Sequence, residues 1–487
     1  VILLKDILYK VPLDAVVGNT AVAITKIHFD SRAITLNDVF VAIRGTQSDG
    51  HDYILKAAEN GALAIVCEAL PEQLINGITY IRVTNSAKAL ATMAANYYQN
   101  PSQNLKLIGV TGTNGKTTVA SLLHQLFTKA GYKTGLLSTV KVVVANKTYP
   151  ATHTTPDSLT INAYLAQMNE AGVEYCFMEV SSHGIHQHRT EALTFAGGIF
   201  TNLSHDHLDY HNSFAEYRDV KKRFFDELPK AAFALSNIDD KNGLVMLQNT
   251  QAKKMTYALK SYANYRAQIL ENQFSGLLLK IQDQEVWVKM IGSFNAYNLL
   301  AIYATAELLG LEQMEALQLL SELDSVAGRF QYFISDTNIT AIVDYAHTPD
   351  ALKNVLGTVN DIRTKNENLI TVVGAGGDRD ITKRPLMGDI ASEMSSTLII
   401  TSDNPRSEDP EAIIAQIEKG VSPQNFKKVL TITDRKQAIK TACQLAQPQD
   451  IILIAGKGHE TYQEINGERH DFDDFKIVKQ TLNQLDK

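Results

Sequence analysis

The segment LKLIGVTGTNGKTT, residues 105–118, constrains this chain more than any other. An apolar run of strand length, Leu105 to Val110, enters a glycine-bearing turn. Thr117 to Ala130 then sets Leu122, Leu123, Leu126 and Phe127 on one helical face before Gly131 ends the helix. Such a strand–loop–helix unit belongs in a parallel sheet, because the helix must carry the chain back across a face to start the next strand. The intervening loop, Gly112, Thr113, Asn114, Gly115, Lys116, Thr117 and Thr118, has the parts of a phosphate cradle. Glycines let backbone N–H groups turn inward, Lys116 offers a cation to β- and γ-phosphate oxygens, and Thr117 can place its hydroxyl on Mg2+ at a helix N-terminus that favours anions. The usual pattern has glycine where Val110 stands, so this is a variant loop.

With 487 residues the chain exceeds one ordinary core, and three domains are expected: 1–102, 103–328 and 329–487. The first alternates short apolar stretches with turns and closes on a helical stretch, Ala87 to Tyr98; QNPSQN, residues 99–104, reads as a linker. In the second, CFMEV, GGIFT and AFALS are further strands, each running into a polar loop, which implies a parallel sheet covered on both faces. The third begins near residues 326–332, after a helical region between Asn298 and Leu323. Its strands ITVVG, TLIIT and DIILIAG precede glycine- or proline-bearing loops and imply a second doubly wound sheet. The expected class is therefore α/β, with a central P-loop parallel-sheet ATPase domain and a Rossmann-like C-terminal domain.

A net charge of −7 argues against a broad basic footprint for nucleic acid, so anionic ligands must be held locally. Cys67, Cys176 and Cys443 share no metal or redox spacing, as expected in a reducing compartment. No apolar run approaches a membrane span, and VILLKDILYKV is broken by charge too early for a signal peptide, so a cytoplasmic protein without membrane insertion is expected.

Several polar residues admit two readings. Glu179 ends the CFMEV strand, where a carboxylate can join Thr117 on Mg2+ or simply cap a helix. The run SHDHLDYH, with His205, Asp206, His207, Asp209 and His211, is a polar loop or a transition-metal site, and the loop is favoured. From Ser213 to about Leu228 a helix places Tyr217, Val220, Phe224, Phe225 and Leu228 on an apolar side, with Arg218, Asp219, Lys222 and Asp226 toward solvent. Lys221 falls on the apolar side, either as an ordinary snorkelling lysine or as an amine kept neutral enough to take up carbon dioxide as a carbamate.

The order DSR (30–32), TGTNGKTT (111–118), TTP (154–156), MEVSSHG (178–184), GSFNAYN (292–298), DYAHTP (344–349), GGDRD (376–380), DNPR (403–406) and GKGHE (456–460) resembles the Mur ligases over nearly the whole chain. The loop form GTNGKTT is also that of their folylpolyglutamate synthase relatives. The resemblance implies that ATP phosphorylates a substrate carboxylate and an amine then displaces the phosphate to form an amide. It further implies that His207 and a carbamate on Lys221 support a second Mg2+, and that Asn295, Asn298, Arg329, Asp344 and His347 contact the nucleotide. UDP-N-acetylmuramoyl-L-alanyl-D-glutamate would be held by Ser31, Thr154, Thr155, Ser181, Gln187 and Arg189, with His153 standing where relatives often have asparagine.

The amino-acid site would be formed by Arg379, Asp403, Asn404, Pro405, Arg406, Gly456 and Glu460, on loops at one edge of the C-terminal sheet. DNPR is the pattern of members that add meso-2,6-diaminopimelate; lysine-adding members differ at the arginine. A guanidinium can grip the second carboxylate of diaminopimelate with two parallel N–H bonds, and lysine lacks that carboxylate. Arg406 read alone is a solvated arginine in an Asn-Pro turn. The alternatives are a lysine-adding or other Mur ligase, a folylpolyglutamate synthase, or, from another class, a nucleotide-controlled binding switch. A motor ATPase is disfavoured by the acidic charge and the variant loop. A monomer is the family's default.

Overall fold

The computed structural model describes residues 2–45, 48–204 and 213–487. The P-loop strand, Lys106–Thr111, lies within an eleven-stranded sheet, between Tyr175–Glu179 and Gly197–Phe200, both parallel to it. Parallel pairing runs from Thr134–Leu137 across to Tyr265–Gln273. The chain first builds to one side of the P-loop strand and then to the other, so the crevice at the strands' carboxyl ends opens beside residues 111–118. Along this strand Leu107 faces one core and Ile108 and Val110 the other. Helices Lys116–Lys129 and Ser293–Leu308 cover one face; Ser158–Glu170 and Phe214–Asp226 cover the opposite one. The sheet is therefore buried on both sides, as expected, but its edges are not purely parallel. Lys141–Val144 with Lys147–Pro150 extends one edge antiparallel, and Gly276–Ile281 with Gln284–Val288 extends the other.

The N-terminal sheet has the order Ala15–Val17, Thr79–Arg82, Ala62–Cys67, Asp38–Val41, Ile27–His28, parallel except for its first strand. Helix Ser86–Tyr97 packs on it through Ala89, Leu90 and Met93. The C-terminal sheet runs Gln331–Ile334, Thr340–Asp344, Ile451–Ala455, Leu369–Val373, Thr397–Ile400, Val429–Thr431, again with only the first strand antiparallel. Its parallel strands deliver loops 345–347, 374–380, 401–406 and 456–460 to a single edge.

The helical region from 298 to 323 is two helices, Ser293–Leu308 and Gln313–Ser321, interrupted around Gly310. Helix Phe214–Asp226 buries Tyr217, Val220, Lys221, Phe224 and Phe225 as expected, but Lys222 is buried too. That corrects its solvent assignment: Lys222 Nζ reaches both carboxylate oxygens of Asp226, one turn on, at 2.7 Å, and the pair lets the stem pack inward. Cys67, Cys176 and Cys443 are free thiols in the interior. Among the described residues, no helix is long and apolar enough to cross a membrane.

Candidate active site

The P-loop is braced from the neighbouring strand's end. Asn202 accepts the N–H of Thr113 on its carbonyl (2.8 Å) and that of Asn114 on Oδ1 (3.0 Å), while Thr201 Oγ1 donates to the Asn114 carbonyl at 2.6 Å. Gly115 has φ +89° at the helix N-cap, and a Cβ there would stand 2.6 Å from Asn298 Oδ1. That steric and dihedral demand explains the glycine. It also places Asn298 against the loop, and Asn298 is in turn fixed by donating to Asn295 Oδ1 at 3.1 Å. Lys116 folds over the loop, with Nζ on the carbonyls of Gly112 (2.9 Å) and Thr113 (2.8 Å). Thr118 is buried in the first helical turn.

Glu179 is fully buried at the end of its strand, in register with Val110. Its Oε2 accepts from Thr117 Oγ1 at 2.9 Å and from Thr139 Oγ1 at 3.2 Å, and its Oε1 accepts from the Thr139 N–H at 2.7 Å. A buried carboxylate facing a P-loop hydroxyl is a donor set of hard oxygen ligands, the kind a divalent cation takes. Thr139 Oγ1 also meets Thr154 Oγ1 at 3.1 Å, and Thr155 Oγ1 donates to the Glu179 carbonyl at 2.8 Å. Ser181 returns its N–H to Thr155 Oγ1 at 3.0 Å. Arg189 donates to the Thr155 carbonyl (2.6 Å) and to Gln187 Oε1 (2.7 Å). Thr154, Thr155, Ser181, Gln187 and Arg189 therefore form one wall around Glu179.

Lys221 enters the same crevice from its helix. It is buried, its Nζ donates to the Gly112 carbonyl at 2.9 Å, and it lies 4.8 Å from the centre of the Tyr217 ring. The Tyr217 hydroxyl meets Thr113 Oγ1 at 3.0 Å. The apolar-side assignment of Lys221 is thus met, with the amine turned to the P-loop rather than to solvent. His207 and the rest of the run 205–211 lie outside the described residues.

Arg329 joins this crevice to the C-terminal sheet. Its Nη2 donates to Thr117 Oγ1 at 3.1 Å while its guanidinium stacks 4.7 Å from the centre of the Tyr345 ring. Asp344 accepts the Phe330 N–H at 2.7 Å, and burial pushes its carboxyl up to about 6 against the opposing pull of Arg329 and the N–H groups of Phe330 and Ala346. Tyr345 contacts His347 and His459, with ring centroids 4.6 and 5.1 Å away. Burial, with Arg329, His347 and Lys457 nearby, lowers His459 to about 4, so it is neutral at pH 7.

The C-terminal loops converge as the strand pattern implied. Asn404 Nδ2 donates to Glu460 Oε2 at 2.8 Å. Arg406 adopts the left-handed φ of 52°, gives its N–H to the Glu464 carbonyl (3.1 Å) and places Nη1 on the Gly377 carbonyl (2.7 Å). Arg379 is exposed beside Gly376. Asp403 and Pro405 are buried within the loop, and Asp403 Oδ2 lies against Gly456, where a Cβ would be 2.4 Å away.

Two of the expected substrate residues stand apart from these clusters. Ser31 is buried in the N-terminal sheet region, its carbonyl taking Asn60 Nδ2 at 2.9 Å, and no described contact joins it to the P-loop. His153 is exposed and, among the described residues, meets only the neighbouring Thr152 hydroxyl, at 3.3 Å.

The residues that hold the site in shape carry no sequence motif. Thr139 serves Glu179 from a strand end with no motif around it. Arg384, buried, forks onto Glu408 at 2.8 Å through both terminal nitrogens and also donates to the Gly376 carbonyl at 3.0 Å. The guanidinium holds Glu408 down near 2. Arg435 forks onto Asp474 in the interior through Nε at 2.9 Å and Nη2 at 2.7 Å, and reaches the Ala455 carbonyl at 3.1 Å. Only their interior position, invisible in a helical stretch of mixed polarity, marks them.

Three family models match in chain order: the Mur ligase family catalytic domain over 23–98, the Mur ligase middle domain over 110–306, and the Mur ligase glutamate ligase domain over 328–458. This chain belongs to the Mur ligase family. Among Mur ligases it is 53% identical to the UDP-N-acetylmuramoyl-L-alanyl-D-glutamate--2,6-diaminopimelate ligase of Cytophaga hutchinsonii, covering 99% of this chain and 100% of the relative. It is 50% identical to the protein of the same name from Bacteroides thetaiotaomicron, with the same two coverages. A solved diaminopimelate ligase structure of that name superposes with a TM-score of 0.71 at 32% identity, covering 100% of this chain and 99% of the other. The MurF ligase of Thermotoga maritima, solved in complex with ADP, shares the fold at a TM-score of 0.61 and 18% identity, covering 94% and 97%.

Proposed function

We propose that this Mur ligase joins meso-2,6-diaminopimelate to UDP-N-acetylmuramoyl-L-alanyl-D-glutamate, converting ATP to ADP and phosphate. The observation that carries the reading is the end-to-end likeness to ligases of that name, combined with an arginine in the DNPR loop that suits a second carboxylate. ATP lies with its phosphates on the P-loop, cradled by the backbone of Gly112 to Thr118 with Lys116 swung from the loop carbonyls onto the phosphate oxygens. Asn295, Asn298, Arg329, Asp344 and His347 surround the rest of the nucleotide. Arg329 touches both the P-loop threonine and the C-terminal ring cluster, so closure of the C-terminal sheet over the nucleotide would assemble the site.

The acceptor's UDP end belongs at Ser31 on the N-terminal sheet, and its peptide at Thr154, Thr155, Ser181, Gln187 and Arg189, with His153 at the rim. Its terminal carboxylate attacks the γ-phosphorus, giving an acyl phosphate and ADP. The amine of diaminopimelate then attacks the acyl carbon and expels phosphate, forming the amide. Thr117 and Glu179 fit Mg2+, which when bound supplies charge neutralisation at the transferring phosphoryl group. Lys221 fits a carbamate: after taking up carbon dioxide its nitrogen keeps one N–H for the Gly112 carbonyl and gains a carboxylate that, with His207, suits a second Mg2+. Arg379, Asp403 to Arg406, Gly456 and Glu460 receive diaminopimelate.

The domains 1–102, 103–328 and 329–487 divide these tasks in a monomer that works in the cytoplasm. Mass spectrometry of the product tests the reading: the expected species is the acceptor plus diaminopimelate less one water, formed only with ATP. ATP consumption without that species would leave the binding-switch reading.

A further inference from the structure

We propose that Lys457 is a positioning residue for the incoming amino acid, holding Asn404 and Glu460 so that one oxygen of Glu460 faces a substrate ammonium; the inference rests on the diaminopimelate reading above. Lys457 follows strand Ile451–Ala455 and is 0% exposed. A lysine is that deeply buried only with partners. Its Nζ donates to Asn404 Oδ1 at 2.9 Å and to Glu460 Oε2 at 3.2 Å, and lies 5.5 Å from the centre of the Tyr462 ring.

The Asn404 side chain could present either edge of its amide, and Lys457 decides which. An ammonium only donates, and so does the Glu464 N–H that reaches the same Oδ1 at 2.9 Å. Two donors at one position require oxygen there, so Nδ2 must turn to Glu460 Oε2, at 2.8 Å. Glu460 Oε2 thereby receives two N–H donors. Among the described residues its Oε1 has only the Tyr345 hydroxyl at 3.5 Å, at the limit of a hydrogen bond. Oε1 is the oxygen left to accept a charged amine. Since Asn404 and Arg406 share one short loop, the same network sets an ammonium acceptor near the guanidinium that takes the carboxylate. Diaminopimelate carries both groups on its far carbon.

The test uses the full chain and compares Lys457→Met with the unaltered enzyme by steady-state kinetics. KM for diaminopimelate should rise about tenfold or more, with KM for ATP and for the UDP-linked acceptor changed by less than about twofold. A lysine that only supports packing would lower stability and the active fraction without moving one KM alone, and that result overturns the proposal. A second measurement needs no variant. On the unaltered enzyme 2-aminopimelate, which keeps the far carboxylate but lacks the far amine, should show a KM about tenfold or more above that of diaminopimelate. Equal KM values mean that Oε1 accepts no ammonium and overturn the proposal even if Lys457→Met does not fold. Failure of the unaltered enzyme to use diaminopimelate at all would instead refute the function on which the proposal stands, and the two failures are read from different samples.

Discussion

Replacing Arg406 by alanine tests how the amino acid is chosen. The backbone at this residue is pinned from both sides: its N–H bonds the Glu464 carbonyl at 3.1 Å, and its own carbonyl receives the Asn466 N–H at 2.7 Å. Nη1 is held on the Gly377 carbonyl at 2.7 Å, which leaves the Nε–Nη2 edge, the one that matches a carboxylate, for the ligand. A hydrogen bond to a charged group contributes about 1.5–3 kcal/mol, and the half-buried position argues for the lower figure. Two such bonds then give about 3 kcal/mol, or roughly a hundredfold in kcat/KM for diaminopimelate. Lysine, which has no second carboxylate, should lose less than about threefold. Initial rates at varied concentrations of each amine measure both. If Arg406→Ala preserves the preference for diaminopimelate over lysine, the arginine is not the selector and the reasoning from the free guanidinium edge is wrong.

Glu179→Gln keeps the hydrogen bonds possible with Thr117 and Thr139 but removes the charge at the P-loop. Phosphate release should fall about a hundredfold or more and the Mg2+ concentration for half-maximal rate should rise, both measurable in a magnesium titration. Gly115→Ala places a Cβ 2.6 Å from Asn298 Oδ1 at φ +89°, so KM for ATP should rise about tenfold while the protein still folds; an unchanged KM would mean that Asn298 does not define the loop. Asp344 is raised from 3.8 to about 6, so the folded state prefers its protonated form. That contribution is complete below pH 3.8 and is lost as pH rises through 6. The melting temperature of Asp344→Asn relative to the unaltered protein should therefore climb between pH 4.5 and 7 by about 4 °C or more, and a flat difference would contradict the burial argument.

The parts of the fold legible in the sequence were those with a local signal. Strand Lys106–Thr111 and helix Lys116–Lys129 declare themselves by apolar period and a glycine turn, and the C-terminal strands by short apolar runs before Gly and Pro. Strand Tyr265–Gln273 and the antiparallel extension Gly276–Ile281 and Gln284–Val288 were missed because charged and amide residues line their exposed side, masking a face packed against helices Ser293–Leu308 and Gln313–Ser321. Motif residues such as Thr117, Glu179 and Lys221 could be named in advance, and they gather around Gly112 and Val110. Thr139, Arg384 and Arg435 could not. Each acts through a partner distant in sequence, which periodicity does not encode. Lys222 shows the reverse error: helical phase placed it outside, and its bond to Asp226 carried it in.

A ligase of this kind ties phosphate release to amide formation with one particular amine. The most direct measurement follows phosphate from ATP and Mg2+ with UDP-N-acetylmuramoyl-L-alanyl-D-glutamate present, adding meso-2,6-diaminopimelate, L-lysine or no amine in parallel. Sustained release with diaminopimelate alone is the predicted result. Equal release in all three would contradict the ligase account and favour a nucleotide-controlled switch, and preference for lysine would keep the ligase but refute the role given to Arg406.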